Sequence, residues 1–177
     1  MILAVDPGTK TSALVMLQET AVVNAVIENN LSLRDRLNKW PERADDILLV
    51  EWVESFGMPV GREVFETCLW IGRFVEAWGG PYRLLPRRHV KLELCGSSRA
   101  KDANVRQALL DSFPATGGGK TPQVGTAAKQ GPLYGIKSHL WSALAVAVTF
   151  LRTEGRQHAG RATVDEEGSG AALSVSS

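Results

Sequence analysis

Cysteine is scarce in this chain. Cys68 and Cys95 are its only two, and they are not in CxxC spacing. That excludes a sequence-encoded zinc knuckle or redox pair, so both are read as reduced, partly buried thiols. Long apolar runs are missing too. No window approaches about 18 uninterrupted apolar residues, so no membrane span is expected. No basic region precedes the strand-like opening MILAVD, which predicts no signal peptide and a cytoplasmic location. Net charge is nearly absent, at +1. It is unevenly spread: the segment from Pro86 to Lys137 holds nine Lys or Arg against three Asp or Glu, a surplus of six, and the remainder carries −5. Such asymmetry suggests a basic surface for a polyanion. The 177 residues, 44% hydrophobic and 22% charged, suit one globular domain with a real core.

Three short apolar runs come first, at Ile2 to Val5, Ser12 to Leu17 and Ala21 to Ile27. Only short polar turns separate them, which predicts an antiparallel meander. Leu31 to Trp40 reads as a helix that Pro41 ends. Asp46 to Val53 reads as a strand, and its Ile-Leu-Leu-Val core suggests burial on both faces, as in a central parallel strand. Glu63 to Trp78 has helical spacing, with Phe65, Cys68, Leu69, Phe74 and Trp78 expected on the buried side. Gly79-Gly80-Pro81 stops it. Tyr82 to Leu85 forms a fifth short strand. Helices follow over Arg87 to Leu94 and Ala103 to Phe113, the latter burying Val105, Leu109 and Leu110. Pro114 to Gly131 is rich in Gly, Thr, Lys and Gln, lacks acidic residues, and reads as a mobile loop. Ser138 is expected to cap a strongly apolar helix from His139 to about Arg152. The expected domain is therefore 1–152, followed by a disordered Gly/Ser/Glu-rich tail at 153–177. Composition and periodicity give a single α/β domain.

Two carboxylates end buried strands. Asp6 closes the first strand, before a tight Pro-Gly turn, where an Asp can simply start the turn or face a site. Glu51 follows Ile47 to Val50. A charge there needs a partner, either a basic residue or a metal ion. Glu54, three residues on, points elsewhere from a strand. His139 and Ser142 share one face of the last helix. Gly117-Gly118-Gly119-Lys120-Thr121 invites a phosphate-loop reading, but a Walker A motif needs Gly at 114, where this chain has Pro, and no strand precedes it.

Four segments, in order, resemble the RuvC-type Holliday junction resolvases, in a compact, phage-like form. They are ILAVDPGTKTSALVML with Asp6, LLVEWVESFGMPVG with Glu51, KLELCGSSRAKDANVRQALLD, and GIKSHLWSALAVAVTFL. The resemblance covers about residues 1–152. It implies an RNase H-like α/β fold, with a mixed five-stranded sheet of three antiparallel strands followed by parallel ones, flanked by helices. It also implies a metal-dependent endonuclease for branched DNA, working in recombination and repair. The implied metal ligands are Asp6, Glu51, His139 and Ser142, the last where the family has Asp, around two Mg²⁺ or Mn²⁺ ions. Lys137, beside that site, is a candidate for stabilising transition-state charge.

Phosphate contacts are expected from Arg87, Arg88, Lys91, Arg99, Lys101, Arg106, Lys120 and Lys129. Phe56 and Met58 are candidate wedges between bases. The implied partners are a four-way DNA junction and a second copy of the chain, with no membrane and no nucleotide cofactor. Two other readings stay open. One is a junction-binding protein that has lost cleavage, as Ser142 suggests. The other is an actin-like phosphotransferase, suggested by the DPGTK turn, which needs two such domains.

Overall fold

The structure, a computed structural model, describes residues 1–41, 45–55, 57 and 59–168, with side chains described through residue 154. The first three apolar runs form β1 (Ile2–Asp6), β2 (Thr11–Gln18) and β3 (Ala21–Asn29), an antiparallel meander as expected. Helix α1 (Asn30–Asn38) follows, capped by the Asn29 side chain, which accepts from the Ser32 backbone N–H at 2.9 Å. Strand β4 (Ile47–Trp52) returns parallel to β1. Helix α2 (Arg62–Trp78) then crosses to β5 (Tyr82–Pro86), which is parallel to β4. Three more helices follow among the described residues: α3 (Arg87–Cys95), α4 (Asp102–Asp111) and α5 (Leu140–Gly168). The sheet order is β3-β2-β1-β4-β5. Cys68 and Cys95 are free thiols, each half-buried.

Strand alternation divides the core into two layers. On β1, Ile2 and Ala4 face the layer built with α3, α4 and α5. Leu3 and Val5 face the layer built with α1 and α2. On β4, Leu49 joins the first layer, while Leu48 and Val50 join the second. All three are fully buried, as a strand covered on both faces requires. This parity decides where the next side chains go. Asp6 and Glu51 continue the alternation toward the α3–α4–α5 face.

Several local expectations are corrected. The buried side of α2 is Thr67, Ile71, Phe74 and Ala77, whereas Phe65 and Leu69 are 64% and 56% exposed. The helix carries two apolar stripes of similar spacing, and only one can meet the sheet and α1. On α4, Val105 and Leu109 are buried but Leu110 only partly. Ser138 does not take the extended conformation of a cap. Its φ is +47°, and α5 begins at Leu140, whose N–H donates to the Lys137 carbonyl at 3.0 Å.

The glycine-rich stretch from 114 to 131, expected as a mobile loop, is tied together by backbone hydrogen bonds of its own. Gly117 N–H donates to Pro122 O, Gly118 N–H to Lys129 O, and Gly131 N–H to Val124 O, at 2.8–3.0 Å. Gly117, Gly125 and Gly131 bring backbone against backbone, where any Cβ would overlap a neighbouring chain segment. Here glycine serves close approach of backbone to backbone. The helical backbone of α5 runs beyond Arg152 to Gly168. Most of the tail expected from residue 153 lies outside the described side chains, and Phe56 and Met58 lie outside the described residues.

Candidate active site

Register places Asp6 and Glu51 side by side. Val5 pairs with Val50 in the parallel β1–β4 ladder, and each carboxylate is the next residue on its strand. Both line an open cavity of about 650 Å³, together with Ser142 and His139 near the start of α5 and Arg87 at the start of α3. Three of the four implied metal ligands thus reach one cavity as carboxylate or imidazole, and the fourth as a hydroxyl. Glu54 is exposed and does not line the cavity.

The turn after Asp6 is fixed by a circuit of buried polar groups. Gly8 N–H donates to Ser12 Oγ at 3.1 Å, and Ser12 Oγ–H donates to Asn30 Oδ1 at 2.7 Å. Asn30 Nδ2 in turn donates to Gly8 O at 2.8 Å. A Cβ at Gly8 would collide with the Thr11 carbonyl. The turn therefore holds one backbone path, and Asp6 enters it from a rigid strand. Sequence reading missed Ser12 and Asn30. Both are small polar residues of ordinary turn type, and their pairing across 18 positions leaves no local signal.

Asp6 Oδ2 lies 3.0 Å from His139 Nδ1. The Asp6 carboxyl is largely covered, and its pKa is pushed up to about 6. Burial is the main cause and the neighbouring Glu51 charge the second, with His139 and Arg87 opposing. Glu51 Oε1 accepts from Arg87 Nη1 at 2.8 Å, and the same nitrogen lies 3.2 Å from Ser142 Oγ. Arg87 Nη2 donates to Asp102 Oδ1 at 2.8 Å, and Lys91 Nζ is 3.5 Å from that oxygen. Burial opposes the Arg87 charge, but Glu51 and Asp102 outweigh it and hold its pKa above the usual arginine value. The hydrogen bond from Arg87 draws the Asp102 carboxyl below the usual range.

Among the described residues, no three or more His, Cys, Asp or Glu side chains form a ready-made metal cluster. The donor chemistry nevertheless fits one hard cation. Asp6 Oδ1 and Glu51 Oε2 have no hydrogen-bond partner among the described residues, and they come from adjacent strand ends. The fit to a second cation is poor. Ser142 supplies no charge, and the Arg87 guanidinium already lies between it and Glu51.

The expected phosphate-binding residues divide into groups. Arg87, Lys91 and Arg106 line the cavity. Arg99, Lys101, Lys120 and Lys129 are exposed outside its lining. Arg88 is exposed as well. Lys137 is exposed on the turn before α5, and its side chain is not among the cavity walls. Arg106 stacks over Trp141 at 4.7 Å, and Trp141 forms part of the wall. That aromatic surface beside the carboxylates belongs to the apolar stretch expected as the last helix, where nothing in the sequence marked it as lining a site.

Neither a protein-family model nor a curated protein matches the chain. Solved structures do. A structure of RuvC from Thermus thermophilus superposes with a TM-score of 0.56 at 18% identity, over 84% of this chain and 91% of that one. A second structure, of T. thermophilus RuvC in complex with Holliday junction substrate, gives 0.57 at 19%, over 84% and 90%. The fold is that of RuvC, an RNase H-like α/β arrangement.

Proposed function

We propose that this chain is a divalent-metal-dependent endonuclease for branched DNA, built on the RuvC-like fold. The observation that carries the reading is the convergence of Asp6 and Glu51 from adjacent strand ends, with His139, on one open cavity that also presents Arg87, Lys91 and Arg106. The RuvC complex with Holliday junction substrate makes a four-way junction the first substrate to test. Asp6, Glu51 and His139 would hold Mg²⁺ or Mn²⁺, and the imidazole favours Mn²⁺. The ion supplies Lewis acidity for phosphodiester hydrolysis.

The chain's own groups define the rest. With Asp6 ionised, its Oδ2 accepts from His139 Nδ1–H, and in the neutral imidazole Nε2 is then left as an acceptor. Lys91 and Arg106 present positive charge to the phosphates along the cavity wall. Trp141, braced by Arg106, offers a stacking surface to an unpaired base. Lys101 and Arg99 extend the basic surface away from the cavity, and Lys120 and Lys129 lie on the glycine-knotted segment. Symmetric cleavage of a junction needs two copies of the site. Support for a homodimer comes from α2, where Phe65 and Leu69 stand one turn apart and exposed, and from Leu31 on α1, 62% exposed.

The test is a labelled four-way junction with Mg²⁺ or Mn²⁺. Paired nicks at symmetric positions are expected, and Asp6→Asn should abolish them while leaving junction binding intact. Retained nicking by a clean Asp6→Asn preparation would sink the assignment of the site. A second reading, a junction-binding protein without cleavage, is favoured by the Arg87 clamp on Glu51. Binding without nicks in either metal would establish it.

A further inference from the structure

Arg87 is held more firmly than a residue that merely waits for phosphate. It follows Pro86 as the first residue of α3, and its guanidinium is gripped from three other elements. Glu51 on β4 and Ser142 on α5 share Nη1, and Asp102 on α4 holds Nη2. A planar guanidinium with two ends fixed has little freedom to swing. Its surroundings also keep it charged, since two carboxylates outweigh the cost of burial.

The position matters as much as the rigidity. In a two-ion nuclease the ions sit roughly 3.5–4 Å apart, and each needs anionic ligands of its own. Here the ligand position on α5 is a neutral hydroxyl, and the space between that hydroxyl and Glu51 is spanned by a single nitrogen of Arg87. A second divalent ion there would meet a fixed positive charge and find one Glu51 oxygen already engaged. With a hydroxyl at 142, α5 offers no anionic ligand to a second ion, and Arg87 places positive charge in that space instead.

We propose that the Arg87 guanidinium stands in for a second divalent ion, so that each chain binds one Mg²⁺ or Mn²⁺, held by Asp6, Glu51 and His139. This rests on the nuclease reading above and specifies its metal requirement. Three of the five guanidinium N–H groups are engaged in the protein, by Glu51, Ser142 and Asp102, and the guanidinium is part of the cavity wall. The remaining two are available to a phosphate oxygen. Arg87 would thus contribute a permanent charge where other sites must recruit an ion from solution.

The experiment is a Mn²⁺ titration of the full chain, read by native mass spectrometry for stoichiometry and by electron paramagnetic resonance for coupling between ions. One Mn²⁺ per chain with an isolated-ion spectrum is expected, and none in Asp6→Asn. Arg87→Ala should bind that first Mn²⁺ roughly tenfold more tightly, because an opposing charge is lost and a Glu51 oxygen freed. A merely structural arginine would give the opposite sign on removal. The double variant Arg87→Ala with Ser142→Asp should take up two Mn²⁺ and show a spin-coupled pair. Two coupled ions in the unmodified chain would overturn the proposal yet leave the nuclease reading standing if junctions are nicked. No bound ion together with no nicking would overturn both. The unmodified chain decides stoichiometry by itself, so the proposal stays testable if the double variant does not fold.

Discussion

At the level of single residues, Asp6 has an energetic signature that can be measured without any substrate. Its pKa rises from 3.8 to about 6 on folding, so the folded chain holds a proton that the unfolded chain releases between those values. Stability from this group is unpenalised below pH 4, falls as pH rises from about 4 to 6, and stays reduced above that. The penalty is at most about 3 kcal/mol. Asp6→Asn removes it, so the variant's melting temperature should exceed that of the unmodified chain at pH 7 and converge with it at pH 4, in metal-free buffer. A constant difference across that range would contradict the assignment. The residues that define the site were only partly legible. Asp6 and Glu51 announce themselves because a charge at the end of an apolar strand demands an explanation. Of the two explanations for Glu51, the structure shows the basic partner, Arg87, and the proposed cation site lies beside it. Arg87 was read as a phosphate contact because its partners lie 36, 55 and 15 positions away, and nothing local records such pairings.

Among the elements, the strands were the most readable, since each apolar run bounded by turn residues became one strand within a residue or two. Helix α2 was legible as a helix but not in its orientation, because Phe65 and Leu69 obey the same spacing as the true core stripe. The segment from 114 to 131 was least legible. Its apolar residues have no period, and its order comes from glycine-to-backbone contacts between positions several residues apart. Gly125 is the sharpest test. It has φ +80°, and a Cβ there would run into the Gly131 backbone. Gly125→Ala should therefore cost well over about 1 kcal/mol by thermal or urea unfolding. A neutral result would mean that the segment is not packed as described.

For the whole molecule, the uneven charge and the exposed α2 face make two separate expectations. Junction binding should weaken steeply with salt, and Lys101→Ala should lower the slope of log K against log [salt] by about one if that lysine meets a phosphate. An unchanged slope would remove Lys101 from the interface. Leu69→Glu, on the exposed stripe, should convert a dimer to a monomer in sedimentation with little change in melting temperature, since the side chain is 56% exposed in the single chain. An unmodified chain that is already monomeric at high concentration would refute the dimer. The two-layer core has one more consequence. Which face of the sheet a carboxylate meets depends only on counting residues along β1 and β4. Deleting one residue before Asp6 would do more than loosen the candidate site. In an otherwise unchanged register it would turn the carboxylate through the sheet, into a layer of Leu33, Ile71 and Phe74. Folding and the geometry of the candidate site therefore enforce the same strand register, and a chain with that register wrong is disfavoured at folding itself.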